Sequence, residues 1–299
     1  MTNYIFYHEV KPGVACPDGL ASAWVAKRAM PDAYCFGRTY DDAREWPHHD
    51  GNHPGLPDDI FEGDTIYLVD YSISAKELQG FIEGVEVVVI DHHKTAWDNL
   101  KDAQWELGED VKITFDMNEC GASLCWKHFF PDEPMPVFLE YVKDRDLWNH
   151  ALESTAEVHA AYAKLGRTFE LYEKLAPMSR QEFLDFMVPI GKPAVEERKA
   201  KTKEIASRYT LGTVAGHEQI PFVALAEDGS EDWLTSDVCQ SLYLSLPDAP
   251  FVACLVSSSN SWSLRSNKDA GNYDVGAVAK ANGGGGHRNA AGFRASNAN

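Results

Sequence analysis

The sequence predicts an α/β protein with a parallel-sheet N-terminal domain, a helical linker and a smaller α/β C-terminal domain. Three patterns carry this. Short apolar strands alternate with helically spaced segments up to Asp91, the stretch from Cys120 to Tyr209 reads as successive helices, and strand patterns return after Leu211. The boundaries that follow are 1–150, 151–210 and 211–299.

Taken in order, residues 3–8 form a short apolar strand. Residues 18–30 place Leu20, Ala21, Trp24, Val25 and Arg28 at helical spacing. A strand is expected at 33–37, then a loop at 44–59, rich in Pro, Gly, His and Asp. His48, His49, Asp50 and His53 are assigned to that loop, since no framework of further ligands surrounds them. Residues 65–70 form a buried-type strand, and 75–84 a helix closed by glycine. Residues 85–91 are the clearest strand, because their β-branched run suits a pleated surface covered on both faces. Helices are expected at 120–130, 134–144, 169–175 and 181–187. A longer charged helix at 193–209, with Glu196, Glu197, Arg198, Lys199 and Lys201, reads as a solvated connector. The last part has strands at 211–214, 220–226, 251–257 and 261–265 and helices at 235–245 and 274–281.

Composition bounds the function. With 299 residues, 44% of them hydrophobic, the chain can bury a sizeable core. The net charge of -19 opposes the approach of long nucleic acid, although it leaves small phosphorylated substrates open. The six cysteines include no Cys-x-x-Cys pair, so neither a zinc knuckle nor a disulfide framework is expected. The first nine residues lack a signal-peptide pattern and no apolar run reaches the ~20 residues that span a bilayer. The expectation is a cytoplasmic protein with reduced thiols and no membrane partner.

His8, Asp70 and Asp91 close three of the expected strands. Ligands of open α/β sheets bind beyond the carboxyl ends of strands, and a buried carboxylate there needs a cation or hydrogen-bond donors. An aspartate at a strand end also serves as a turn former or helix cap, so each one alone is ambiguous.

Two motifs change this reading. Ile90-Asp91-His92-His93-Lys94-Thr95-Ala96 follows a β-branched strand and resembles the signature of the DHH phosphoesterase superfamily. Gly283-Gly284-Gly285-Gly286-His287-Arg288-Asn289-Ala290-Ala291-Gly292-Phe293 resembles the glycine-rich motif of the DHH-associated C-terminal domain. Two motifs in the right order are more specific than either alone. The resemblance implies two α/β domains around an active-site cleft and two divalent ions, typically Mn²⁺, with Mg²⁺ as the alternative. Carboxylates with imidazole suit Mn²⁺ on chemical grounds as well.

By the same resemblance, Asp70 bridges the ions and His92 ligates. His93 faces the substrate phosphate, and Asp91 orients the site from behind. Tyr141-Val142-Lys143-Asp144-Arg145-Asp146 matches a further motif, from which Asp144 is taken as ligand with Asp146 in reserve. The first motif supplies His8 and Asp18 but departs from the family pattern, which has two aspartates one residue apart. Depending on alignment, Cys16 or Leu20 stands at the second position. Either one ion site is degenerate or Cys16 itself contributes. Arg265, Gly284, Gly285, Gly286 and His287 are expected to bind substrate, the arginine by a bidentate fork and the glycines through an amide nest.

The resulting expectation is a phosphodiesterase acting on short oligonucleotides or cyclic nucleotides, with no long nucleic acid as partner and a homodimer left open. The alternatives are a phosphoanhydride or phosphomonoester hydrolase of the pyrophosphatase or pAp-phosphatase type, and a nucleotide-binding module with impaired catalysis.

Overall fold

Strand β1 (Asn3–Lys11) sends Ile5 to one face of a sheet and Tyr4 and Phe6 to the other, and all three are buried. That is the burial of a strand covered on both sides. A two-residue β2 (Val14–Ala15) folds back antiparallel on its far end. β3 (Tyr34–Arg38) and β4 (Thr65–Val69) flank β1 in parallel, and β5 (Glu86–Asp91) and β6 (Val111–Phe115) continue the parallel sheet beyond β4. The order β3-β1-β4-β5-β6 reverses direction at β1, which creates a crevice at the carboxyl ends of β1 and β4.

In this computed structural model, which describes residues 1–40, 60, 62–79, 84–102 and 108–295, the chain divides into Met1–Lys192 and Pro193–Asn299. The histidine-rich loop with His48, His49, Asp50 and His53 lies outside the described residues. Helices of the first unit are α1 (Pro17–Ala29), α2 (Ala75–Leu78), α3 (Lys94–Leu100), α4 (Gly121–Phe129), α5 (Val137–Asp146), α6 (Thr155–Leu165) and α7 (Phe169–Leu175). One sheet face packs Ile5, Val69, Val88 and Ile90 against Trp24, Trp126 and Phe138 of α1, α4 and α5. Each such fully buried aliphatic side chain contributes about 1.5–3 kcal/mol. The other face packs Tyr4, Phe6, Leu68 and Val89 with Leu100 of α3.

The expected linker behaves differently from the sequence reading. Val158, Tyr162, Tyr172, Leu175, Phe183 and Met187 all belong to the first unit's core, so residues 151–192 are part of that unit. The helices expected at 181–187 and 193–209 are one continuous α8 (Arg180–Ser207) that runs through Pro189 and Pro193. Gly191 lets α8 approach α6, since a Cβ there would lie 1.8 Å from the Glu157 carbonyl oxygen.

The second unit is a mixed sheet of order β11-β12-β10-β9-β8-β7. Its strands are β7 (Thr210–Val214), β8 (His217–Ala224), β9 (Val252–Val256), β10 (Ser261–Arg265), β11 (Gly285–His287) and β12 (Ala290–Arg294). The two-residue period places Val252 and Cys254 against α9 (Thr235–Ser245), and Ala253 against α10 (Val275–Ala281) on the opposite face. No helix among the described residues is long and apolar enough to cross a membrane.

Candidate metal centre

Five stretches of chain meet at the carboxyl ends of β1, β4 and β5. His8 lies in β1 and faces Asp70, the residue after β4. Asp70 adopts a left-handed backbone (φ +52°), held by donation of its amide to the Ile90 carbonyl at 2.9 Å. This is a strained conformation for a residue with a side chain, although aspartate tolerates it better than most, and such strain clusters at functional sites. His92 and His93 follow β5, and His93 is the N-cap of α3. Cys16 is the N-cap of α1, whose first residue is Pro17, pre-set by its ring for a helix start. Asp146 is the last residue of α5.

Two glycines allow these pieces to touch. A Cβ at Gly19 would fall 2.3 Å from the His8 carbonyl oxygen, so only glycine lets the first turn of α1 lie on β1. At Gly121 it would fall 2.6 Å from Asp70 Cβ and 2.8 Å from Ser22 Oγ. The N-terminus of α4 is thereby brought against the site, where Asp18 accepts the amides of Gly121 at 2.6 Å and Ala122 at 2.9 Å. A carboxylate at that end satisfies otherwise orphaned donors and the positive end of the helix dipole.

Asp70 stands between two groups of potential ligands. His8, Cys16 and Asp70 offer atoms within 4.8 Å of one another, and so do Asp18, His92 and Asp146. His92 Nε2 lies 3.2 Å from Asp70 Oδ1 and 3.5 Å from Oδ2 of both Asp18 and Asp146. His8 Nδ1 lies 3.8 Å from Asp70 Oδ2. Yet both Asp70 oxygens, His8 Nδ1 and His92 Nε2 are buried without a hydrogen bond of acceptable geometry.

Three carboxylates here surround imidazole groups that can each carry at most one positive charge. Burial raises the Asp18 pKa well above the carboxylate range, reinforced by the charges of Asp70 and Asp146. Burial also opposes charge on Asp70, but His8, His92 and His93 outweigh it and hold its carboxyl below the usual range. Burial opposes charge on His92 too, and Asp70, Asp18 and Asp146 nevertheless raise its pKa to about 9. Buried charge of this kind is stable when paired or coordinated. Oxygen and imidazole donors that lack hydrogen bonds and converge on one point fit a divalent cation.

Asp91 is saturated from its own surroundings. Its Oδ1 accepts the amides of His92 at 2.6 Å and His93 at 3.1 Å and faces His93 Nδ1 at 2.7 Å, while Oδ2 accepts the Ser72 hydroxyl. It therefore fixes the tautomer and direction of His93, leaving Nε2 as the free ring nitrogen. Burial opposes charge on His93, but Asp91 and Asp70 outweigh it and raise its pKa. The Tyr40 ring packs tilted against His8, 4.8 Å between ring centres, and places its hydroxyl 3.5 Å from His93 Nδ1.

Asp144, the expected ligand, is corrected by the structure. Its carboxylate accepts the Ala151 amide at 2.8 Å, the Leu152 amide at 3.4 Å and the Thr155 hydroxyl at 2.7 Å, which ties the end of α5 to the start of α6. Asp146 faces His92 instead. The amide nest is corrected as well. β11 and β12 form a hairpin, and the Gly284 amide donates to the Ala279 carbonyl. A Cβ at Gly284 would lie 2.1 Å from the Gly292 carbonyl oxygen, and one at Gly286 2.6 Å from that of Ala290, so these glycines permit close packing within the hairpin. His287 is exposed on β11. Arg265 donates to Ser263, the Leu264 carbonyl and Ser236, and among the described residues no carboxylate pairs with it. The sequence reading missed Gly121, Ser72 and Tyr40. Of these only Gly121 left a trace, a glycine opening a helix with no side chain of its own to cap it.

No family model matches the chain. It is 30% identical over 240 residues to the uncharacterized protein R106 of Acanthamoeba polyphaga mimivirus, covering 79% of this chain and 54% of that protein. The chain thus spans about half the length of this relative. Among solved structures, the pGpG-specific phosphodiesterase PggH of Vibrio cholerae is 16% identical with a TM-score of 0.49, over 99% of this chain and 94% of its own. The exonuclease RecJ bound to manganese is 18% identical with a TM-score of 0.40, over 99% and 86%.

Proposed function

We propose that the chain is a metal-dependent phosphoesterase of the DHH type that hydrolyses phosphodiester bonds in short oligonucleotides or cyclic nucleotides. One observation carries the reading. Asp70 is wholly buried, with both carboxylate oxygens free of hydrogen bonds, between His8 on one side and Asp18, His92 and Asp146 on the other. The motif Asp91-His92-His93 at the end of a parallel strand supports the same assignment.

In this reading His8, Asp18, Asp70, His92 and Asp146 would hold the divalent ions. Mn²⁺ or Mg²⁺ held there would supply Lewis-acid chemistry and water activation. His93, oriented by Asp91 through Nδ1 and favoured as the imidazolium by Asp91 and Asp70, presents its second proton at Nε2 to a phosphate oxygen or the departing oxygen. Arg265, whose partners in the second unit are neutral, grips a substrate phosphate. His287 is the second candidate there, through its exposed side chain.

The test is a substrate panel of short RNAs, cyclic nucleotides, pyrophosphate and pAp, each with Mn²⁺ and scored by product identity. The expected result is phosphodiester cleavage that stops in excess chelator. Hydrolysis confined to pyrophosphate or pAp, or tight binding without turnover, would replace this reading.

A further inference from the structure

The two groups of atoms beside Asp70 differ in chemistry. Asp18, His92 and Asp146 offer two oxygens and a nitrogen, whereas His8, Cys16 and Asp70 offer a nitrogen, a sulfur and an oxygen. Resting on the metal-dependent reading above, we propose that His8, Cys16 and Asp70 form a thiolate-containing site. It selects a cation of the zinc, iron(II) or cobalt(II) class over Mn²⁺, so that the centre holds two different elements.

The position of Cys16 is fixed from both ends. Its amide donates to the His8 carbonyl at 3.2 Å, and its carbonyl accepts the Leu20 amide at 2.9 Å. Its own extended backbone (φ -60°, ψ 136°) turns the chain into α1, with Pro17 stiffening the next residue. Gly19 removes the Cβ that would hold this turn away from His8. The sulfur is therefore kept beside the imidazole by backbone geometry.

A second observation, independent of the cysteine, points to a ligand at the same place. Asp70 is 0% exposed, and both of its oxygens lack hydrogen bonds, as does the buried Nδ1 of His8. Among the described residues, Cys16 is the one cysteine that shares such a cluster with histidine and aspartate. Cys120, Cys125, Cys239 and Cys254 lie in apolar cores.

Thiolate ligands favour zinc and iron(II) over manganese, which prefers oxygen. On binding, the S–H bond breaks, a sulfur–metal bond forms, and the proton leaves to solvent. Three protein ligands leave a tetrahedral ion one position for water, the arrangement of catalytic zinc sites.

The experiment titrates the metal-stripped full-length chain with Co²⁺. Visible ligand-field bands report binding anywhere, whereas a near-ultraviolet charge-transfer band reports a thiolate–cobalt bond. The wild type should show the charge-transfer band saturating at one equivalent. Cys16→Ser and Cys16→Asp should keep ligand-field bands but lose that band. After loading with equimolar Zn²⁺ and Mn²⁺ and desalting, Cys16→Asp should shift the bound Zn/Mn ratio toward Mn²⁺. The shift should be at least the ~10-fold that even outer partners of a metal ligand command. Cobalt bound to the wild type without the charge-transfer band, or a band that persists in both variants, overturns the thiolate site and leaves the metal centre standing. No cobalt binding at all removes the metal centre and this inference with it.

Discussion

Replacing Gly121 by alanine adds one methyl group at the point where α4 meets the site. The new Cβ would lie 2.6 Å from Asp70 Cβ, 2.8 Å from Ser22 Oγ and 3.1 Å from Asp18 Oδ2. None of these neighbours yields easily. Asp70 Cβ is attached to a strained backbone, and Asp18 is held by two amides of α4 itself. Overpacking of this kind costs about 1–3 kcal/mol. For a unit of this size each kcal/mol moves Tm by about 2–4 °C, so the metal-free variant should melt about 2–12 °C lower. The displaced Asp70 and Asp18 should also lower Mn²⁺ affinity by about 10–100-fold, as loss of ligand support generally does. Gly191→Ala is the control. Its Cβ would lie 1.8 Å from the Glu157 carbonyl oxygen, a worse clash within the same unit but between α8 and α6. It should lower Tm at least as much and leave Mn²⁺ affinity unchanged once the protein is folded. Thermal melts of stripped protein and calorimetric Mn²⁺ titrations separate the two effects. Wild-type affinity in Gly121→Ala, or equal affinity losses in both variants, would refute the claim that Gly121 serves the site.

Asp70→Asn should abolish metal-dependent turnover; retention of most of the wild-type kcat would remove Asp70 from the site. Asp146→Asn should cut Mn²⁺ affinity by at least ~10-fold, with little change in metal-free stability. Asp144→Asn should do the opposite, costing about 1–3 kcal/mol of stability through its donors Ala151, Leu152 and Thr155; a reversed pattern in calorimetry would restore Asp144 as ligand. Burial opposes charge on Glu119, but Lys127, Lys143 and Ser123 hold its pKa down to about 2. The folded value lies below the unfolded one, so its stabilisation is complete above about pH 4.5 and fades as pH falls toward 2. The Tm gap between wild type and Glu119→Gln should therefore close over that window, and a gap constant with pH would contradict the assignment.

Much of the first sheet was legible because β5 is a run of β-branched residues and β4 and β5 end in acids. A buried parallel strand leaves that imprint whatever packs on it. β6 (Val-Lys-Ile-Thr-Phe) was missed although its apolar and polar residues alternate at the two-residue period of a strand, one face half-buried and the other exposed. β11 was not read because glycine carries no strand preference, and its pairing comes from β12. α8 was divided because proline usually ends a helix, yet the chain passes Pro189 and Pro193 as helix. The site shows the same split. His8, Asp70 and His92 are placed by strand ends, which sequence can locate. The choice between Asp144 and Asp146 depends on how α5 is rolled, and two residues turn a helix by about 200°. Packing of Phe138, Leu139, Tyr141 and Val142 sets that roll, and no local pattern records it.

The acids of this site are not equivalent, and the difference locates where a cation acts most strongly. Asp18 receives two amides and the positive end of α4, yet burial and the charges of Asp70 and Asp146 still raise its pKa. Asp91 is compensated by four donors from Ser72, His92 and His93. Asp70 has neither a helix terminus nor an amide, only imidazole nitrogens at 3.2–3.8 Å without hydrogen-bond geometry. It is also the acid that sits on a strained backbone. Without a cation, the fold carries the strain at Asp70, and the Asp70 charge rests on His8, His92 and His93 alone, which keeps protons on partly buried imidazoles. A cation at Asp70 would replace those protons in the folded state alone, because only the folded chain assembles residues from β1, α1, α5 and the ends of β4 and β5. Binding and folding are therefore linked through this one carboxylate, and ligand at 100 times its Kd adds about 2.7 kcal/mol to stability.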